Sequence, residues 1–282
     1  MSHKIPCISR YMLAMGIAAW LTASVCDAQN AGPNFFSSWF ARVAAIQSQQ
    51  PAWMTSVFTT TPRLDEEIHY DASFENSKGA QLRNYGSGKG LELIPYYNMQ
   101  LNISIPTYEV QGRNRGVGDE SFLFKYRIAT ANEQEGNYVL TAFLGFTAPT
   151  GDAAFTGHHY GFTPTIAGGK GWGRFDFQST LGVSIPDDLT QQTGPGISVP
   201  FNTVLQYKVG DVIWPAVEFN DVWFANGVHE GKDELFISPE VIFGRFPIWE
   251  RLRMVVGAGY QIAITDSPLY RNLFDVTVRF PF

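Results

Sequence analysis

The stretch Arg174–Ile185 reads RFDFQSTLGVSI. Arg174, Asp176, Gln178, Thr180, Gly182 and Ser184 alternate with Phe175, Phe177, Ser179, Leu181, Val183 and Ile185, so one side is polar or small and the other mostly apolar. A period of two marks a half-buried strand, because successive side chains leave opposite faces. The alternation returns in Arg251–Ile264, where Leu252, Met254, Val256, Ala258, Tyr260, Ile262 and Ile264 oppose Arg251, Arg253, Gly257, Gly259 and Gln261. It also ends the chain, with Tyr270, Phe274, Val276, Val278, Phe280 and Phe282 against Arg271, Asp275, Thr277 and Arg279. Shorter dyads at 68–74, 91–93, 99–105, 122–128, 138–146, 162–166, 201–209, 217–224 and 235–243 bring the expected strand number to about twelve.

The joints between these segments alternate in length. Tyr96–Asn98, Lys170–Gly173, Gly210–Val212 and Pro247–Glu250 are brief, and only Thr130–Asn137 on that side is longer. The opposite set, Asn76–Gly90, Glu109–Gly116, Pro149–Tyr160, Pro186–Pro200 and Ala225–Asp233, is longer and rich in Gly, Asn and Asp. Short turns at one end and long loops at the other are the pattern of an outer-membrane barrel. A soluble sandwich alternates too, but buries its apolar face and wets its polar one. Aromatics near strand ends favour the barrel, because such rings settle at headgroup level: Tyr96, Tyr97, Tyr126, Tyr138, Trp172, Tyr207, Trp214, Trp223, Trp249, Tyr270, Phe280 and Phe282. The reading is an all-β, antiparallel transmembrane barrel with a short N-terminal helix.

Composition narrows the alternatives. The 282 residues are 45% hydrophobic, 15% aromatic and only 16% charged, which excludes disorder. A net charge of −6 argues against nucleic acid, whose phosphates need a basic surface. A mean hydropathy of −0.09 excludes a bundle of apolar helices. Lys4 and Arg10 followed by the apolar run Tyr11–Val25 and small Ala28 predict a cleaved export signal over residues 1–28. Val25 before Cys26 is too large for a lipidation site. Cys7 and Cys26 leave with that signal, so no disulfide or cysteine-bound metal is expected downstream. Losing Lys4, Arg10 and Asp27 takes the net charge from −6 to −7.

Residues 29–64 form the next segment. Phe36, Trp39, Phe40, Val43 and Ile46 lie on one stripe between Pro33 and Pro51, predicting a helix over Asn34–Gln50 with Asn34 as its cap. Three roles fit that stripe: packing against the main body, lying on a membrane surface, or stoppering a pore. The barrel itself is expected over 65–282.

GVGDESFLFKYRI (Gly116–Ile128), GFTAPTGD (Gly145–Asp152) and PTIAGGKGWGRFDFQSTLGVSIP (Pro164–Pro186) resemble the outer-membrane MetA-pathway phenol-degradation family. Its members open a strand on Gly-x-Gly-Asp, close it on Lys-Tyr-Arg, and end the next on Pro-Thr-Gly-Asp. The likeness runs over about residues 65–282 and leaves the leading helix out. It implies an outer-membrane channel or passive transporter for small solutes, hydrophobic or aromatic ones among them. The closing VTVRFPF, with Phe282 last, resembles the signal read by barrel-assembly machinery, although Pro281 departs from it.

Catalytic and metal chemistry find little footing in the sequence. There is no G-x-S-x-G elbow, H-E-x-x-H or phosphate loop, and of His69, His158, His159 and His229 only the two in the loop are adjacent. Neither an enzyme, a metal site nor a cofactor is expected. The polar face instead offers His69, Asp71, Glu92, Lys125, Arg127, Arg174, Asp176, Lys208, Glu218, Glu240, Arg251, Arg253, Arg271, Asp275 and Arg279 to the lumen. Opposite charges there could simply pair, or they could line a conduit and set its preference. Arg251, Arg253 and Arg279 are expected to form a positive rim, while Gly182, Gly257 and Gly259 either leave bore or curve the sheet. Twelve strands lie between a filled interior and a wet channel, so a narrow passage is expected, blocked by an inward loop or the leading helix. The competing reading is a closed barrel that anchors or interacts through its loops. Outer-membrane lipid, the assembly machinery and a small solute are the expected partners.

Overall fold

The computed structural model describes residues 34–282 except 78–79, 190–193 and 267. The expected export signal, residues 1–28, lies outside the described residues. Two compact units are distinguished, Met1–Ala41 and Arg42–Phe282. The first contributes the start of helix α1 (Phe35–Ser48), where Ser37 N donates to Asn34 Oδ1 at 2.7 Å and so closes an open helix N-terminus. In the second, Val43 and Ile46 of that helix are fully buried.

Arg42–Phe282 holds fifteen strands in one sheet: β1 (Glu67–Ser77), β2 (Ala80–Tyr96), β3 (Met99–Ile103), β4 (Tyr108–Gln111), β5 (Asn114–Val117), β6 (Glu120–Ala131), β7 (Tyr138–Ala148), β8 (Gly161–Trp172), β9 (Phe175–Gly182), β10 (Ile185–Pro186), β11 (Ser198–Tyr207), β12 (Ile213–Phe224), β13 (Asp233–Trp249), β14 (Leu252–Ala263) and β15 (Asn272–Pro281). Each wall strand pairs antiparallel with its neighbours, and β1 pairs with both β2 and β15, so the sheet closes on itself. The β4–β5 hairpin leans on the far end of β2, and β10 on β8; without these three add-ons the wall has twelve strands. Closure leaves the twelve-stranded wall itself without a free edge, which is what lets a sheet sit in hydrocarbon.

Side chains segregate as a barrel in lipid requires. On β9, Asp176, Gln178 and Thr180 are buried while Leu181 is exposed; on β6, Lys125 and Arg127 are buried while Phe122, Phe124, Tyr126 and Ile128 are exposed. A sandwich would invert this, and an unpaired charge on the outer face at mid-depth would cost about 2–4 kcal/mol. Exposed rings gather at both ends. Tyr96, Tyr97, Tyr126, Tyr138, Trp172, Tyr207 and Trp249 mark the short-turn end. At the long-loop end Phe122 stacks on Phe146, which meets Phe162 at a tilt, and Phe274 stacks on Phe74, whose ring meets Tyr85 edge to face.

Several expectations need correction. Asn76–Gly90 is not a loop: β1 and β2 run on through it, with only residues 78–79 between them. Its glycines serve irregular pairing, with Gly86 and Gly90 at φ 85° and 64° beside register shifts near Asp71. Trp214 and Tyr270 are not outward rings. Trp214 is 3% exposed because it shares strand parity with inward Glu218, and Tyr270 stacks on buried Phe236 at 4.6 Å and donates to Gln261 Oε1 at 2.6 Å.

The motifs that carried the family resemblance form a clamp at the long-loop end. Gly151 N and Gly157 N donate to Asp119 at 2.9 and 2.8 Å, Val117 N donates to Asp152 Oδ2 at 2.8 Å, and Glu120 N to Thr150 Oγ1 at 3.0 Å. A Cβ on Gly151 would sit 2.8 Å from the Val117 carbonyl oxygen, so the glycine is what lets the two loops close. Burial pushes the Asp119 carboxyl up, but the Gly157 and Gly151 amides with the Thr156 and Thr150 bonds outweigh it and hold it below the usual carboxylate range.

Candidate functional site

Between α1 and β1 the chain enters the barrel. Pro51–Glu66 has no regular secondary structure, yet almost all of it is buried. An irregular buried segment cannot satisfy its own amides and carbonyls, so it needs partners from elsewhere. The wall supplies them. Met54 N donates to Gln206 Oε1 at 3.0 Å, Val57 N to Glu240 Oε2 at 2.8 Å, and Phe58 N and Thr59 N to the two oxygens of Glu218 at 2.8 and 2.7 Å. Asp65 N donates to Gln100 Oε1 at 2.7 Å. The carbonyls are met by cations and hydroxyls: Lys125 Nζ donates to Thr61 O and Arg63 O at 3.2 Å each, Arg245 to Trp53 O at 2.8 Å, Arg279 to Ser56 O at 2.6 Å, and Thr141 to Pro62 O at 2.6 Å.

The segment also braces itself. Gln50 bridges Leu64 through both its amide atoms, and Arg63 pairs with Asp65 at 3.2 Å. Burial raises the Asp65 carboxyl, but Arg63, Lys125, the Thr55 hydroxyl and Arg245 more than offset it, so its pKa lies below the ordinary value. Where α1 ends, Arg127 donates to Ile46 O at 3.0 Å and Thr130 to Gln49 O at 3.3 Å, satisfying carbonyls a helix C-terminus leaves open. One apolar patch interrupts the polar interior: Trp214, Ile242 and Val255 of the wall packed against Met54, Val57 and Phe58 of the segment.

The segment divides the interior into vestibules. Toward the short turns lies a cavity of about 580 Å³ bordered by Arg63, Arg245, Arg251, Arg253, Arg279 and Glu67, among others. Toward the long loops lies one of about 330 Å³, which meets the segment at Val57 and Phe58 and the wall at Asp71, Asn220 and Asp275.

The interior candidates from the sequence fall into two groups. His69, Asp71, Glu92, Lys125, Arg127, Asp176, Glu218, Glu240, Asp275 and Arg279 are buried, and Arg253 is half-buried at the first cavity. Arg174, Arg251 and Arg271 are exposed at strand ends, and half-exposed Lys208 pairs with Asp211 at 3.4 Å within its turn. Arg174, Lys208 and Arg271 ended up outside the interior because alternation was extended past the last paired residue, while exposed Arg251 still borders the first cavity. Simple pairing of opposite charges across the lumen is not the main pattern, since Lys125, Glu218, Glu240 and Arg279 each bind the backbone of the inserted segment. Sequence reasoning missed that segment and the uncharged wall groups that hold it, Gln100, Thr141, Gln178, Gln206 and Asn220. For two of them the signal was present: Gln178 shares strand parity with Asp176, and Asn220 with Glu218.

Comparison with known proteins agrees with this architecture. The family described as "Putative MetA-pathway of phenol degradation" matches residues 63–232. Among solved structures, the chain is similar to the NanC porin with a TM-score of 0.51 at 9% identity, covering 76% of this chain and 100% of that one. It is also similar to an outer membrane channel from Pseudomonas putida F1, with a TM-score of 0.48 at 14% identity over 77% of this chain and 94% of that one. No curated protein matches the chain.

Proposed function

The chain belongs to the MetA-pathway phenol-degradation family, and from that membership we propose that it is a gated, passive outer-membrane channel for small solutes, hydrophobic or aromatic ones among them. The observation that carries the reading is the inserted segment Pro51–Glu66, which stands between two vestibules of about 580 and 330 Å³ inside an otherwise continuous barrel. Charged wall groups hold this segment by its backbone, a mode of attachment that water entering the lumen can replace bond for bond. Displacing it would uncover Trp214, Ile242 and Val255 beside the arginine-bordered cavity, a surface suited to a ring that also carries polar or anionic groups. The exposed aromatics at the two ends would sit at the membrane interfaces, with the long loops outside, and Phe282 would address the assembly machinery. An export signal over residues 1–28 belongs to the same reading.

The test compares the full chain with one in which Pro51–Arg63 is replaced by a short Gly/Ser linker, both in planar bilayers and in swelling liposomes. The full chain should conduct rarely and the replaced chain steadily, with faster uptake of small aromatic solutes. Absence of conductance and flux from both would support instead a closed barrel that anchors or interacts through its loops.

A further inference from the structure

A second constellation lies where the barrel closes, on β1, β2 and β15. Glu67 Oε1, His69 Nδ1 and Glu92 Oε1 lie within 4.8 Å of one another, with His69 Nδ1 3.8 Å from Glu67 and 3.6 Å from Glu92. The three residues are 4%, 1% and 2% exposed, and each of these three atoms lacks a hydrogen-bond partner. Buried polar atoms are rarely left unsatisfied, and three that converge on one point call for a common partner.

The surroundings fix what that partner must be. His69 Nε2 faces Asp71 Oδ1 at 2.8 Å, and a carboxylate can only accept, so an ion held at Nδ1 would go with the ring proton on Nε2. The Arg279 Nε–H is shared between His69 Nε2 at 3.2 Å and Thr277 Oγ1 at 3.1 Å, and in that tautomer it would turn to the hydroxyl alone. In that tautomer Nδ1 turns a lone pair toward two carboxylate oxygens, an arrangement relieved by a metal ion at their meeting point or by a proton on Nδ1. Glu92 is oriented by its other oxygen, which accepts from Gln100. A carboxylate behind the histidine, holding its tautomer, is the usual support of an imidazole metal ligand.

We propose that Glu67, His69 and Glu92 bind a divalent transition-metal ion of zinc's class. One nitrogen and two oxygens suit zinc, whose bonds of about 2.0–2.1 Å imply ligand separations of about 3.4 Å in a tetrahedron. The observed 3.6 and 3.8 Å need only a slight contraction. Glu67 borders the cavity at the short-turn end, which provides an entry path and a place for a water as fourth ligand. Glu67 and Glu92 face each other across the β1–β2 ladder, so the ion would fasten the first strand of the barrel to the second beside the closing seam.

The experiment takes the full chain, untagged and folded in detergent, strips it on a chelating resin, loads it with Zn²⁺ and counts retained metal by mass spectrometry. One ion per chain is expected. It should be lost in His69→Gln and Glu92→Gln, weakened about 10–100-fold in Asp71→Asn, and kept when His158, His159 and His229 are all changed to Gln. No retained metal in the parent chain, or equal retention in His69→Gln, overturns the proposal. Should the ligand variants fail to fold, the Co²⁺-loaded parent decides: X-ray absorption should give one imidazole among oxygen ligands, and a spectrum without imidazole overturns it equally.

Discussion

The clamp at the long-loop end and the segment inside the barrel use the same chemistry over different reaches. At the clamp, Asp119 and Asp152 accept backbone amides from a neighbouring loop some thirty residues away, and glycines bring the two backbones together. In the interior, Glu218 and Glu240 accept amides from chain 160 and 183 residues distant, and glycines make room for its side chains rather than its backbone, Gly259 for the Phe58 ring and Gly169 and Gly171 for Trp53. The clamp is a local device that leaves a motif in the sequence. The inserted segment is a long-range device whose two halves each look like ordinary polar residues.

That contrast can be broken, and the largest effect is expected from the interior. Glu218→Ala strips the acceptor from two buried amides at once, each worth about 1–3 kcal/mol when left unsatisfied. The open fraction in single-channel records should rise by at least tenfold, while Asp119→Ala leaves it unchanged. Equal gating in the two variants would show that the segment does not close the barrel. Next comes the wall that both regions depend on. Val256→Arg, on the lipid side, should reduce insertion into vesicles by an amount matching about 2–4 kcal/mol, and Gln261→Arg, facing inward, should be tolerated. Similar insertion of both would contradict the facing of β14.

Smaller effects belong to the clamp. Gly151→Ala forces a Cβ against the Val117 carbonyl oxygen and should cost about 1–3 kcal/mol locally. Limited proteolysis should then cut within 149–160 while the barrel keeps its heat-resistant gel mobility. The smallest is a pH dependence. Because the folded pKa of Asp119 is depressed, its contribution is complete above the ordinary carboxylate range and fades as pH falls through the lowered value. Protection of the loop from protease should weaken only in that acidic window, and Asp119→Asn should abolish the dependence.

How far the sequence could be read follows from the same contrast. Asp176, Gln178 and Thr180 announced an inward face because their alternation is intrinsic to a strand, and closure into a barrel followed from the alternation of turns and loops. Trp214 was misjudged because nearness to a strand end was weighed above its parity with Glu218, and parity decides which way a side chain points. Gly86 and Gly90 read as a loop because glycine serves a bulge and a turn alike. The run Thr59–Arg63 carries no period at all. Its position depends on Lys125, Thr141 and Gln178, and no local pattern encodes partners so far away.

The geometry of the inserted segment has a bearing on biogenesis. It leaves α1 beside Thr130 on the short-turn side and joins β1 at Glu67 on that same side, where Phe282 N donates to Glu66 O. Entrance and exit share one mouth, so the chain makes a U-shaped excursion and never passes through from end to end. Topologically nothing is threaded. The first and last strands can therefore zip together around an empty hollow, and the excursion can tuck in afterwards, or slip back out, without a single wall pairing being undone.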